Sequence, residues 1–81
     1  MSLDNKVVIV TGAAVGLGAA IAKRLTEEGA TVIRTDIAAG EGIIQQDVAD
    51  EAGWKALIAD TMAKHGRIDA LVVGYAYAVN Q

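Results

Sequence analysis

An α/β fold is predicted from this sequence: a four-stranded, mainly parallel sheet in the order 3-2-1-4 with two main helices, in one domain over residues 1–81. Three observations predict it. The strand candidates are short, β-branched and apolar without alternation, as in KVVIV (Lys6–Val10) and IDALVV (Ile68–Val73), which marks strands buried on both faces and hence a parallel sheet. Stretches with helical spacing separate them, giving the order β-α-β-β-α-β. The composition is 53% hydrophobic with no proline and no phenylalanine, so Val, Ile, Leu and Ala must build the core. Right-handed crossovers then set the strand order.

The elements follow along the chain. Lys6–Val10 is stopped by Thr11-Gly12 and forms the first strand. From Leu17 to Glu28 the apolar Leu17, Ala20, Ile21 and Leu25 keep helical spacing, Lys23, Arg24, Glu27 and Glu28 fall mostly opposite, and Gly29 ends the helix. Thr31–Thr35 is the second strand, closed by Asp36, and AAGEG leads to a short third strand, Ile43–Gln46. About seven residues join these two strands, fewer than the dozen or so that a parallel crossover usually needs. Two links stay open: an extended parallel loop, and an antiparallel hairpin through Ala39-Gly40-Glu41-Gly42. Asp50 is placed to cap a second helix, Glu51–His65, whose core stripe is Trp54, Leu57, Ile58, Thr61 and Met62 and whose stop is Gly66. Ile68–Val73 is the fourth strand. The tail YAYAVNQ alternates and is strand-like.

Composition narrows the function classes. The formal charge is −3, so there is no basic footprint for nucleic acid or an anionic membrane. The apolar runs fall far short of a membrane span, and MSLDNK lacks the apolar region of a signal peptide. The expectation is a cytoplasmic domain that meets neither nucleic acid nor membrane. There are no cysteines, so neither a disulfide framework nor a thiolate metal site is encoded. No His/Cys/Asp cluster has metal-ligand spacing. His65 falls in the last turn of its helix, where it suits the dipole. Asp60 and Asp69 read as solvated, and Trp54 as a core or interface anchor.

The informative stretch is TGAAVGLG, Thr11–Gly18, with three glycines in eight residues. A loop that leaves a buried strand and enters a helix presents unpaired N–H groups at the positive end of the helix dipole, which suits a pyrophosphate. Gly12 makes the tight turn, Gly16 lets the anion approach the backbone, and Gly18 lets the helix pack closely on the strand. Asp36 lies 24 residues beyond Gly12, near the spacing of a carboxylate that accepts hydrogen bonds from an adenosine ribose. A P-loop is excluded by the missing Gly-Lys-Ser/Thr. An S-adenosylmethionine domain stays open, since it shares the glycine turn and the ribose acid. So does the plain reading of turn glycines beside a solvated aspartate.

The stretch VVIVTGAAVGLGAAIAKRLTEEGATVIRTD resembles the opening of the short-chain dehydrogenase/reductase family, whose signature is T-G-x-x-x-G-x-G. Asp47-Val48 resembles the family's pair beside the adenine, and Gly66-Arg67-Ile68-Asp69-Ala70-Leu71-Val72 resembles its entry to the fourth strand. The likeness covers nearly the whole chain. It implies half of a Rossmann doubly wound fold and a nicotinamide dinucleotide. The cofactor would be held by Gly12, Ala14, Val15, Gly16, Leu17 and Gly18 of the loop, by Asp36 and Ile37, and by Asp47 and Val48. NAD is favoured over NADP, because Asp36 would repel a 2′-phosphate and no basic residue stands at Ala13, Ala14 or Ile37. Arg34 alternates onto the same side as Asp36, so some NADP use stays open.

The chain departs from that family in two places. Val73-Gly74-Tyr75-Ala76 stands where the family has Asn-Asn-Ala-Gly, which leaves Thr11 without its usual partner there. Neither Tyr75 nor Tyr77 has a lysine four residues on, so the Ser and Tyr-x-x-x-Lys that carry the family's chemistry are not found here. The expectation is an NAD-binding module that does not turn over by itself. Its alternatives are part of an oxidoreductase completed from elsewhere and a structural fragment that binds nothing. The fourth strand, Ile68–Val73, would be an unprotected edge. The 81 residues are therefore expected to form a homodimer through it, with the tail Tyr75–Val79 prolonging the seam.

Overall fold

The computed structural model describes residues 2–38, 40–47 and 49–73. The elements are β1 (Val7–Thr11), α1 (Gly16–Glu27), β2 (Thr31–Asp36), β3 (Ile44–Gln45), α2 (Glu51–His65) and β4 (Ala70–Val73). They form one sheet in the order β3-β2-β1-β4. Each pairing is parallel: Val7 to Thr31 and Val10 to Arg34, Val8 to Ala70 and Thr11 to Val73, Thr35 to Ile44. The order and the parallel sense are those the sequence predicts. The tail and the Val73-Gly74-Tyr75-Ala76 departure, apart from Val73, lie outside the described residues.

β1 is buried along its whole length, because it is flanked by β2 and β4 and has a helix over each face. The crossovers through α1 and α2 run in opposite directions along the sheet, and right-handed connections then put them on opposite faces. Under α1 the core is Val8, Val10, Ala13, Ala22 and Ala30, with Leu25, Val32, Ile43 and Val72 packed against it. On the other face Val7 and Ile9 are buried, and α2 contributes Leu57 and Thr61. The Thr61 hydroxyl donates to the Leu57 carbonyl at 2.8 Å, which is how a polar side chain is tolerated there.

The short link between β2 and β3 resolves in favour of the parallel alternative. Gly40 and Ile43 make one antiparallel bridge, with the Ile43 N–H donating to the Gly40 carbonyl at 3.1 Å. That tight turn reverses the chain locally, and β3 then runs parallel to β2. The turn makes so short a connection possible.

Three other expectations need correction. Ile58 and Met62 are nearly half exposed (46% and 45%), so the buried stripe of α2 is narrower than its spacing suggests. Asp50 occupies the N-cap position of α2 but makes no side-chain cap bond. The turn is instead tied by Asp47, whose carbonyl accepts the Asp50 N–H at 2.9 Å and whose Oδ1 accepts the Ala49 N–H at 2.9 Å. Asp69 is engaged rather than merely solvated. Its carboxylate accepts the Val7 N–H at 2.7 Å and takes both Nε and Nη2 of Arg67. Those donors, the Arg67 side chain first, hold its carboxyl below the usual aspartate range.

Candidate cofactor site

The site is built from the turn between β1 and α1. Gly12 takes a left-handed φ of 63°, which lets the chain swing off the strand without a Cβ clash. Ala13 is buried and donates its N–H to the Thr35 carbonyl at 2.9 Å. Ala14 donates to Asp36 Oδ2 at 2.9 Å. The loop is thereby fastened at two successive residues to the end of β2. Thr11, wholly buried, aims its hydroxyl at the Val72 carbonyl over a long 3.4 Å, so it has a partner on β4.

α1 begins at Gly16 with its N-terminus uncapped. Val15 at the N-cap makes no side-chain bond to the helix, and no acidic residue falls in the first turn. The first N–H groups of a helix have no partner within it, and among the described residues no side-chain cap supplies one here. A Cβ built on Gly16 meets nothing within 4 Å, so the backbone faces open space. A Cβ on Gly18 runs into the Gly12 carbonyl, whose carbon lies 2.7 Å away. Gly18 is the contact at which α1 touches the turn below it. The uncapped helix, the open Gly16 and the closely packed Gly18 fit the pyrophosphate of a dinucleotide.

Asp36 sits beside this loop. Its Oδ1 accepts the Ala38 N–H at 3.0 Å. The donors Ala38 and then Ala14, opposed by slight desolvation, hold its carboxyl below the ordinary aspartate value. The carboxylate therefore steadies the loop at neutral pH, and that contribution is lost as pH falls through the lowered value. Arg34 points to the same face as Asp36, since Thr35 between them is buried.

The predicted residues thus assemble in two groups. Gly12, Ala14, Val15, Gly16, Leu17 and Gly18 form the loop, and the Ala14 bond joins Asp36 to them. Ile37 and Asp47 line one cleft beside the carboxyl ends of β2 and β3. Val48 lies outside the described residues. Val15, Leu17 and Ile37 are 75%, 44% and 66% exposed, leaving apolar side chains around the loop unburied. Sequence reading missed Gln46, nine-tenths buried with its Nε2 unpartnered. The paired glutamines after two isoleucines were its only trace, since strand alternation must turn one of them inward.

The short-chain dehydrogenase family model matches residues 6–80. A short-chain dehydrogenase reductase of Arabidopsis thaliana is 37% identical over 89 residues, covering 98% of this chain and 33% of its own. An NADP-dependent (R)-specific alcohol dehydrogenase of Lentilactobacillus kefiri is 36% identical over 93 residues, covering 98% and 37%. Among solved structures, the ligand-free aldohexose dehydrogenase of Thermoplasma acidophilum superposes with a TM-score of 0.78 at 41% identity, over 88% of this chain and 29% of that one. A hydroxysteroid dehydrogenase of Escherichia coli gives 0.82 at 30% identity, over 89% and 37%. This chain spans about a third of the length of those relatives. Strand order, glycine turn and relatives agree: the chain belongs to the short-chain dehydrogenase family.

Proposed function

We propose that this chain is the dinucleotide-binding part of a short-chain dehydrogenase, holding the ADP half of NAD at the carboxyl ends of β1 and β2. The observation that carries the reading is the bond from the Ala14 N–H to the Asp36 carboxylate. It sets a ribose acceptor beside an uncapped helix N-terminus whose Gly16 faces open space. NAD is preferred over NADP because Asp36 keeps its negative charge at neutral pH, and a 2′-phosphate there would be repelled. Arg34 on the same face is a cation that would soften this preference. When bound, the cofactor accepts or gives a hydride, and these residues bind and orient it.

Calorimetric titration of NAD, ADP-ribose and NADP against the 81-residue chain tests the reading. NAD and ADP-ribose should bind alike and NADP more weakly. Asp36→Ala should weaken NAD by about 1–3 kcal/mol, the scale of a charge-assisted hydrogen bond. Equal NAD affinity in the two proteins would refute the assignment of Asp36. Alcohol oxidation or ketone reduction needs a held substrate and a tuned proton donor. The 81 residues by themselves are expected to give no turnover, and activity in a preparation free of host dehydrogenases would overturn that.

Two copies of the 81-residue chain are further proposed to pair across β4. The opposite edge, β3, is two residues long and therefore a poor template. β4 runs four residues, with Leu71 and Val73 exposed by 50% and 42%. Asp69, the one charge at its start, is taken up by Val7 and Arg67 and does not guard the edge. Val72 packs against the core, so Leu71→Lys is the cleaner probe. Sedimentation should show a concentration-dependent dimer that this lysine dissociates. A dimer indifferent to it would place the seam elsewhere.

A further inference from the structure

We infer that β4 is a detachable strand, held on β1 by a latch at its entrance, and that it opens by itself while the rest of the sheet and the glycine loop stay folded. The strand has a weak hold of its own. It is an edge of the sheet, paired to β1 over four residues. Ala70, Leu71 and Val73 are exposed, and its contribution to the core under α1 is the half-buried Val72. At its far end the Thr11 hydroxyl reaches the Val72 carbonyl over 3.4 Å, well beyond the usual O–H···O distance. β2 differs on each count. It is paired on both sides, to β1 and β3, and its Thr35 is wholly buried.

The latch lies just before the strand. Asp69 and Val7 exchange two bonds: the Asp69 N–H donates to the Val7 carbonyl at 2.8 Å, and the Val7 N–H donates to Asp69 Oδ2 at 2.7 Å. Arg67 grips the same carboxylate, its Nε donating to Oδ2 at 2.9 Å and its Nη2 to Oδ1 at 2.7 Å. Magnitudes decide which part holds the strand. The Arg67 side chain is 47% exposed, and an ion pair in water contributes little. A backbone N–H donating to a charged carboxylate makes one of the stronger bonds. Val7 is buried, so its N–H left without an acceptor is penalised as well. Arg67 therefore presents the carboxylate, and Asp69 holds the strand. Opening spares the cofactor loop, because Ala13 and Ala14 are fastened to Thr35 and Asp36 on β2. Gly66, at a left-handed φ of 76°, ends α2 ahead of the latch. The chain can swing there without unwinding the helix.

Amide hydrogen exchange, read by NMR on the isotope-labelled 81-residue chain, tests this. Alternation turns the N–H groups of Leu71 and Val73 the way that of Asp69 points, towards β1, and those of Ala70 and Val72 towards the open edge. The measurement is made at a dilution where Ala70 and Val72 exchange freely, since pairing between two copies across β4 would protect those two. The amides of Asp69, Leu71 and Val73 should then exchange as one group. They should exchange faster than Ala13, bonded to Thr35, and Ile33, paired to Ile9. Asp69→Ala should speed Leu71 and Val73 by about tenfold or more, the scale of one charge-assisted hydrogen bond, and leave Ala13 and Ile33 within about twofold. Arg67→Met should speed them by about threefold or less, as befits an exposed ion pair. Asp69→Asn keeps an acceptor for the Val7 N–H without the charge, and should fall between the two. Leu71 and Val73 amides as slow as those of Ala13 and Ile33 in the parent would overturn the proposal. So would an equal acceleration of all four in Asp69→Ala and in Asp69→Asn, because the sheet would then open as one unit. An Arg67→Met chain that matched Asp69→Ala would overturn the assignment of the latch to the Asp69–Val7 bond.

Discussion

Gly18→Val is expected to unfold the chain. The first atom of any side chain at this position meets the Gly12 carbonyl, and it also comes within 3.2 Å of the Thr11 carbonyl oxygen. Both obstacles are backbone, so no rotamer change relieves them. The turn is pinned besides: Ala13 is bonded to Thr35 and Ala14 to Asp36. Accommodation therefore requires α1 to lift from β1, which uncovers Ala22 and the Val8–Val10 face of the core. Overpacking of a rigid core costs about 1–3 kcal/mol and more where backbone must move. Small domains carry only about 0.05–0.15 kcal/mol per residue of net stability, so the penalty consumes much of what this chain has. Circular dichroism should show loss of cooperative melting for Gly18→Val and a large drop in midpoint for Gly18→Ala. A Gly18→Ala protein that melts like the parent would show that the helix can shift freely here.

How much of this was legible in the sequence varies by residue. The strand order was readable because β-branched apolar runs without alternation report burial on both faces, and β1 is indeed buried throughout. The loop was readable because its glycines are punctuation with one physical cause each. Ile58 and Met62 were not, since helical spacing says which residues share a side and not how wide the covering layer is. The Asp69 clamp is not legible either. It joins Asp69 to Val7 across 62 residues, and no local pattern carries such a contact. Asp50 looked like a cap by type and position, yet the preceding Asp47 turn ties the chain first. The two-to-three link was ambiguous because the Gly40–Ile43 turn is a hairpin in miniature whose exit strand nonetheless pairs in the parallel sense.

Gly16→Val should leave a folded chain that no longer binds NAD, and the contrast with Gly18 separates folding from recognition within one loop. Gly16 has a φ of 65°, and a Cβ there meets no protein atom within 4 Å. The cost to the free protein is therefore the left-handed backbone alone, about 1–2 kcal/mol for an ordinary residue and more for a β-branched one. The cost to the complex is different in kind. The open space beside the uncapped helix N-terminus is where the pyrophosphate is proposed to lie, and a side chain would fill it. Steric exclusion of a phosphate removes the anchoring interaction, so affinity should fall by at least about a hundredfold, or some 2.7 kcal/mol. Gly16→Asn separates backbone strain from steric exclusion as the cause of that loss. Asparagine tolerates the left-handed region yet still occupies the cradle. It should melt close to the parent and bind NAD nearly as poorly as the valine variant. A Gly16→Asn chain that bound NAD at parental affinity would move the pyrophosphate off this loop, and the proposed cofactor site with it.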